Sequence, residues 1–214
     1  MVEVPTIQTI LLCEAIKAGN YIEVETTLRN GADPQLEIDK NHYYTPWHWL
    51  YNTESLIITT QLCINGDPNT ILDEFLGQTV LFGAITSLNQ AKIAILVQHG
   101  ADINHLDDDM YSPIFSTLIS EECMELIPLL LKLGANLSIG IERLVEWKRT
   151  SNTYIFFCEQ IVRFLDESYR NNDWEILKFH IPIILALNGA LPETVIQKAQ
   201  DLNSFYCFDA EKEE

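Results

Sequence analysis

Positive charge is what this chain has least of. Thirteen Lys and Arg stand against thirty-one Asp and Glu, a formal charge of −18 at pH 7. The one adjacent basic pair is Lys148–Arg149. Nucleic acids and anionic membrane surfaces are held by clustered Lys and Arg, so this balance excludes both as partners. Long apolar runs are missing too. Stretches such as Leu126–Leu131 and Ile181–Leu187 fall far short of the roughly 18 residues that a membrane-spanning helix needs. The opening MVEVPTIQTILL carries Glu3 and no basic residue, which predicts no secretory signal. Cysteine is sparse and odd in number: five, at 13, 63, 123, 158 and 207, never in C-x-x-C spacing. Such cysteines predict reduced, mostly buried thiols in a cytoplasmic protein. Glycine amounts to nine residues and forms no phosphate-binding loop. What remains is an ordinary folding composition, 47% apolar and 21% charged over 214 residues, the size of one domain or two small ones.

What is present is a repeat. Four segments end alike: Leu28-Arg-Asn-Gly31-Ala-Asp, Cys63-Ile-Asn-Gly66-Asp-Pro-Asn, Val97-Gln-His-Gly100-Ala-Asp-Ile-Asn and Leu131-Lys-Leu-Gly134-Ala-Asn. Their glycines lie 35, 34 and 34 residues apart. A second element precedes the last three: Thr45-Pro-Trp-His48, Thr79-Val-Leu-Phe82 and Ser112-Pro-Ile-Phe115. From its Thr or Ser to the following glycine is 21, 21 and 22 residues. Two features in one register define a repeat architecture. Thr or Ser before Pro predicts an N-cap followed by a first helical residue of fixed φ. A short apolar helix follows, then a longer amphipathic one such as Gln90–His99, where Ile93, Leu96 and Val97 share a face. The closing glycine suits a left-handed C′ position. A helix pair this small buries its faces only by stacking on neighbours.

On these residues the chain resembles the ankyrin-repeat family. Thr45-Pro46-x-His48, Gly31-Ala32-Asp33 and Gly100-Ala101-Asp102-Ile103-Asn104 match its pattern of helix start and finger. The third repeat departs with Val80 and Phe82, and the fourth with Phe115 in place of His. The resemblance covers about 9–138. It implies an all-α solenoid of four to five helix-turn-helix repeats, four of them in residues 1–140, with fingers near 32–44, 67–78 and 101–111. Residues 141–214 read as a C-terminal helical cap with an acidic tail at 209–214. Ile181-Pro-Ile-Ile-Leu-Ala-Leu-Asn-Gly-Ala190 echoes Ile127-Pro-Leu-Leu-Leu-Lys-Leu-Gly-Ala135, so this region is expected to hold a diverged fifth repeat. Helices are expected there over 141–149, 153–170, 172–188 and 192–203.

Catalytic material is thin. His42, His48, His99, His105 and His180 never take helical metal-ligand spacing. His48 reads as the repeat's structural histidine. Asp107-Asp108-Asp109 lacks the alternation and closing Glu of a calcium loop and reads as a solvated turn. Cys158 lies in an apolar run, as an inert thiol does. No catalytic residue, metal or cofactor is expected. Trp47 is expected in the core and Trp49 partly exposed.

The resemblance implies a non-catalytic protein-binding module that works through its concave groove and fingers, and the acidic balance of residues 1–140 predicts a protein partner with a basic surface. In that reading Asn41, His42, Tyr44, Phe75, Leu76, Gln78, Asp107, Asp108, Asp109 and Tyr111 line the groove. Asn52, Thr53, Thr86, Ser87 and Ser120 stand behind them. Tyrosines are typical binding anchors, and the acids would speed encounter. A narrower version makes the protein an intracellular pathogen's effector, on its divergent repeats and glutamate-rich tail. The alternative class is an enzyme or a ubiquitin-ligase-type adaptor working through the C-terminal helices, where Leu191-Pro192-Glu193 offers a faint match. Nothing in the sequence speaks to oligomeric state.

Overall fold

Helices and turns account for nearly all of the fold, as the repeat register predicts. A computed structural model describes residues 6–38, 44–51, 53–73, 76–139 and 152–210. The expected helix at 141–149 lies outside them, as do Asp39, Asn41, His42, Asn52, Glu74 and Phe75. Two compact units share the chain, residues 1–102 with 107–109, and 103–106 with 110–214. The division falls in the third finger, so the fourth helix pair belongs with the C-terminal helices.

In the first unit, α1 (Ile7–Lys17), α3 (Pro46–Leu50) and α5 (Val80–Thr86) pack in succession, as do α2 (Tyr21–Arg29), α4 (Leu56–Asn65) and α6 (Gln90–Gln98). Leu12, Ile16, Val24, Trp47, Leu50, Ile58, Leu62, Leu81, Ile93 and Leu96 are fully buried between these rows. The second finger carries a two-stranded antiparallel ribbon, β1 (Ile71–Asp73) against β2 (Gln78–Thr79). In the second unit come α7 (Pro113–Ser116), a 3-10 turn at Thr117–Ile119, α8 (Glu121–Met124) and α9 (Ile127–Lys132). Pro128 has no N–H for the carbonyl one turn back, and α8 and α9 stay separate across it. Then come α10 (Asn152–Arg170), α11 (Trp174–Ala186) and α12 (Glu193–Ala210). Helix α10 packs on α8, α9, α11 and α12, and α12 extends further than the expected end at 203.

Three of the helix-pair turns close in the same way, those of α1–α2, α5–α6 and α10–α11. Asn20 N bonds Ala15 O and Asn89 N bonds Ala84 O, each preceded by a left-handed residue, Gly19 at φ 67° and Leu88 at φ 57°. Asp173 N bonds Ser168 O after Asn172 at φ 58°, so the α10–α11 turn repeats the device where the sequence period has already lapsed. The next helix is capped by a side chain in each of the four pairs. Asn20, Ser55, Asn89 and Ser120 accept from Glu23 N, Ile58 N, Lys92 N and Cys123 N. The Thr45, Thr79 and Ser112 positions are N-caps in backbone conformation. Thr45 shares a capping box with His48, whose Nδ1 accepts from Thr45 N at 2.9 Å. The expected side-chain cap is absent at Thr79 and Ser112, and Ser112 Oγ donates instead to Ile139 O at 3.0 Å.

Gly31, Gly100 and Gly134 take the expected left-handed C′ conformation, at φ 88°, 96° and 99°. Gly66 does not. Its φ is −153°, and Asp67 follows it directly, without the Ala that separates Gly31 and Gly100 from their Asp. Glycine is required there by contact: a Cβ would lie 2.7 Å from Gln35 Oε1 and 3.0 Å from Pro34 Cβ.

Candidate functional site

Side-chain amides tie each finger to the next. Asn69 Nδ2 donates to Gly100 O at 3.0 Å while its Oδ1 accepts from Asp102 N at 2.7 Å. Asn104 makes the same pair with Gly134 O at 3.3 Å and Asn136 N at 2.7 Å. Gln35 Oε1 accepts from Asp67 N at 3.0 Å and from the Trp47 indole at 2.5 Å. Each clamp gives otherwise unsatisfied turn groups a partner, which fixes the finger bases. His48 belongs to this framework. Its Nε2 donates to Leu72 O in β1 at 2.7 Å, so the ring spans α3 and the following finger. A carbonyl only accepts, which places the proton on Nε2 and leaves Nδ1 as the acceptor for Thr45 N.

The groove residues of the sequence reading divide sharply. In the first unit Tyr44 is 38% exposed, Leu76 is exposed and Gln78 half-buried. Thr86 Oγ1 and Ser87 Oγ donate to Phe82 O and Gly83 O on their own helix. Thr53 is half-buried, and its Oγ1 accepts from Ser55 N at 3.3 Å. Asp108 and Asp109 are exposed, but Asp107 is not the solvated acid expected of it. It is 4% exposed, and its carboxylate accepts from Gln78 Nε2 and Asp109 N, both at 3.1 Å. Asp107 therefore builds the turn that Asp108 and Asp109 present. Tyr111 and Ser120 lie in the second unit, both half-buried, with Ser120 engaged as the α8 cap.

Trp47 is fully buried and Trp49 half-buried, as expected. Trp49 stands edge-on to Tyr44, ring centroids 5.9 Å apart, and Tyr44 in turn tilts onto His48 at 5.0 Å. The ammonium of Lys17 sits over the Trp49 ring, 3.7 Å from its centroid. The indole N–H of Trp49 is buried without an acceptor.

Two buried bases escaped sequence reasoning. Lys92 is 2% exposed and donates to Leu50 O at 2.8 Å and Thr53 O at 2.7 Å, tying α6 to the end of α3. Burial pushes its pKa down, with Glu54 opposing. The signal lay in the helix face, since Lys92 adjoins Ile93 and follows a good cap. His180 on α11 is 1% exposed; its Nε2 donates to Leu131 O at 2.8 Å, and Nδ1 has no partner. Phe164 and Phe179 flank the ring at 5.0 and 4.8 Å. Burial lowers its pKa, against the raising effect of the Leu131 bond.

A cleft of about 650 Å³ runs along α10 to the start of α12, lined by Tyr154, Ile155, Cys158, Val162, Pro192 and several charged residues. Among the described residues no histidine lines it. Burial raises Cys158 to about 12, as it raises Cys13 to about 12 and Cys63 to about 11. These thiols are protonated at neutral pH and serve packing. Leu191 is buried, so the Leu-Pro-Glu segment is occupied as the start of α12. Among the described residues no group of three or more His, Cys, Asp and Glu is placed to hold a metal ion. Nor is any described helix long and apolar enough to cross a membrane.

No protein-family model matches the chain, and no curated protein is significantly similar to it.

Proposed function

We propose that the chain is an ankyrin-type repeat array that acts as a non-catalytic protein-binding module in the cytoplasm. The observation that carries this reading is the recurrence of the same polar devices from one pair to the next. An Asn or Ser side chain caps the second helix of each of the four pairs, and amide clamps join successive fingers at roughly the spacing of the glycines. A chain built this way invests its polar side chains in a rigid scaffold and leaves aromatic rings on its surface. Tyr44 and Trp49 are the anchors, since half-exposed Tyr and Trp carry large contact area at low entropic cost. Exposed Asp108 and Asp109 supply the negative rim, and eighteen acids against five bases over residues 1–140 favour a basic partner surface. Buried, protonated thiols suit a reducing compartment.

Quantitative capture from a lysate at physiological salt tests the reading, with the full chain compared to Tyr44→Ala and Trp49→Ala. A protein held by the wild type and depleted at least fivefold by both variants is the expected result. Capture indifferent to both substitutions overturns the assignment of the face.

A further inference from the structure

Resting on that reading, we propose that the face of the half-buried Trp49 indole that Lys17 covers is a seat for one basic side chain of the partner protein, occupied by Lys17 until the partner arrives. Lys17 ends α1 and is exposed, yet its ammonium lies 3.7 Å from the Trp49 ring centroid. That is well inside the roughly 6 Å within which a cation is attracted by an aromatic face. Among the described residues no carboxylate forms an ion pair with Lys17, although exposed Glu14 lies one turn earlier on the same helix. The ring, and not the neighbouring acid, holds this charge. Tyr44, edge-on at 5.9 Å, borders the same indole.

The seat suits a foreign cation better than its present occupant. Lys17 reaches it from an exposed stem whose rotamer freedom the contact restricts. An arginine side chain stacks flat on an indole and is more weakly hydrated than an ammonium, so it displaces lysine there. Charge favours the exchange as well. The other described bases of the first unit are committed, Arg29 to Glu25 and Lys92 to two carbonyls. A partner's arginine therefore meets an acidic surface, and among the described Lys and Arg of the first unit Lys17, the group it replaces, is the one held by a ring alone.

The test uses the full chain and the peptide acetyl-(Gly-Arg)₃-amide, followed by NMR at about 150 mM salt, where long-range attraction is screened. The peptide moves the Trp49 indole resonances, and Lys17→Gln tightens its binding by about threefold, the scale of an exposed cation–π contact. Arg29→Gln removes the same charge from the Glu25 pair and leaves affinity within about 1.5-fold, because a surface ion pair is worth little. Trp49→Phe keeps a ring for packing and weakens binding, since a phenyl face is the poorer cation acceptor. Equal tightening by Lys17→Gln and Arg29→Gln, or still Trp49 resonances, overturns the proposal. A captured protein that binds Trp49→Phe and Lys17→Gln as it binds wild type removes the seat and leaves the protein-binding reading intact. A peptide seated at Trp49 with no protein captured does the reverse.

Discussion

Lys92 and His180 show how single buried bases hold helices together in this molecule. The Lys92 ammonium donates to the carbonyl of Leu50, which ends α3, and to that of Thr53 in the turn beyond it. Lys92→Met removes the desolvation cost of the charge but also a charged donor to both carbonyls, so a net loss of about 1–3 kcal/mol is expected. Denaturant midpoints measure it, and a loss under about 0.5 kcal/mol would show that water replaces the ammonium. His180 gives a pH signature. Its folded pKa is lowered, so below about 6.5 the unfolded chain takes up a proton that the folded state refuses. This group's contribution is complete above that pH. It declines by up to about 1.4 kcal/mol per pH unit as acidity increases, until the folded pKa is reached. On the helices packed against α11 and its neighbours, Lys132 of α9 and Arg163 of α10 both pair with Glu167 of α10. Hydrogen bonding from Arg163 holds Glu167 below the usual carboxylate range, so it stays ionised through this window. Urea melts from pH 7.5 to 5.5 should therefore show a stability loss that His180→Leu flattens. A slope unchanged by the substitution would place the titration elsewhere.

Helix ends rather than helix cores separate what the sequence discloses from what it conceals. The buried face of α6 was readable from Ile93 and Leu96, because apolar spacing of three and four leaves few alternatives. Asn20, Ser55 and Asn89 each stand 11 residues before their glycine and Ser120 14 before its own, yet a cap residue resembles any polar loop residue until its helix is placed. Gly66 followed the glycine period while serving close contact with Gln35, which no local pattern encodes. Asp107 sat among like residues and turned inward because Gln78, 29 positions earlier, donates to it. Long-range partners of this kind are invisible to periodicity. Leu88 offers a direct test of the shared turn. It holds φ 57°, where its counterpart in the first pair is Gly19 at φ 67°. Leu88 is exposed, so little packing is lost on truncation. Leu88→Gly should stabilise the protein by up to about 1 kcal/mol, as relief of left-handed strain outweighs the added chain entropy. Destabilisation in the same melts would mean the side chain contributes more than its exposure suggests.

At the scale of the whole molecule, the fourth helix pair and the C-terminal helices form one core. Phe115 of α7 stacks on Phe157 of α10 at 5.6 Å, and Leu131 of α9 accepts from His180. A chain ending at residue 140 would expose both faces, and it should aggregate or unfold without cooperativity. A fragment of 1–140 that melts sharply in solution would contradict that assignment. The binding claim is tested most directly by association kinetics with the captured partner at low and high salt. Tyr44→Ala is predicted to weaken affinity by about 1–2 kcal/mol, or roughly 5- to 30-fold, chiefly through faster dissociation. Asp108→Asn with Asp109→Asn is predicted to slow association at low salt and to have little effect at high salt. Rates and affinities that both sets of substitutions leave unchanged would contradict the account.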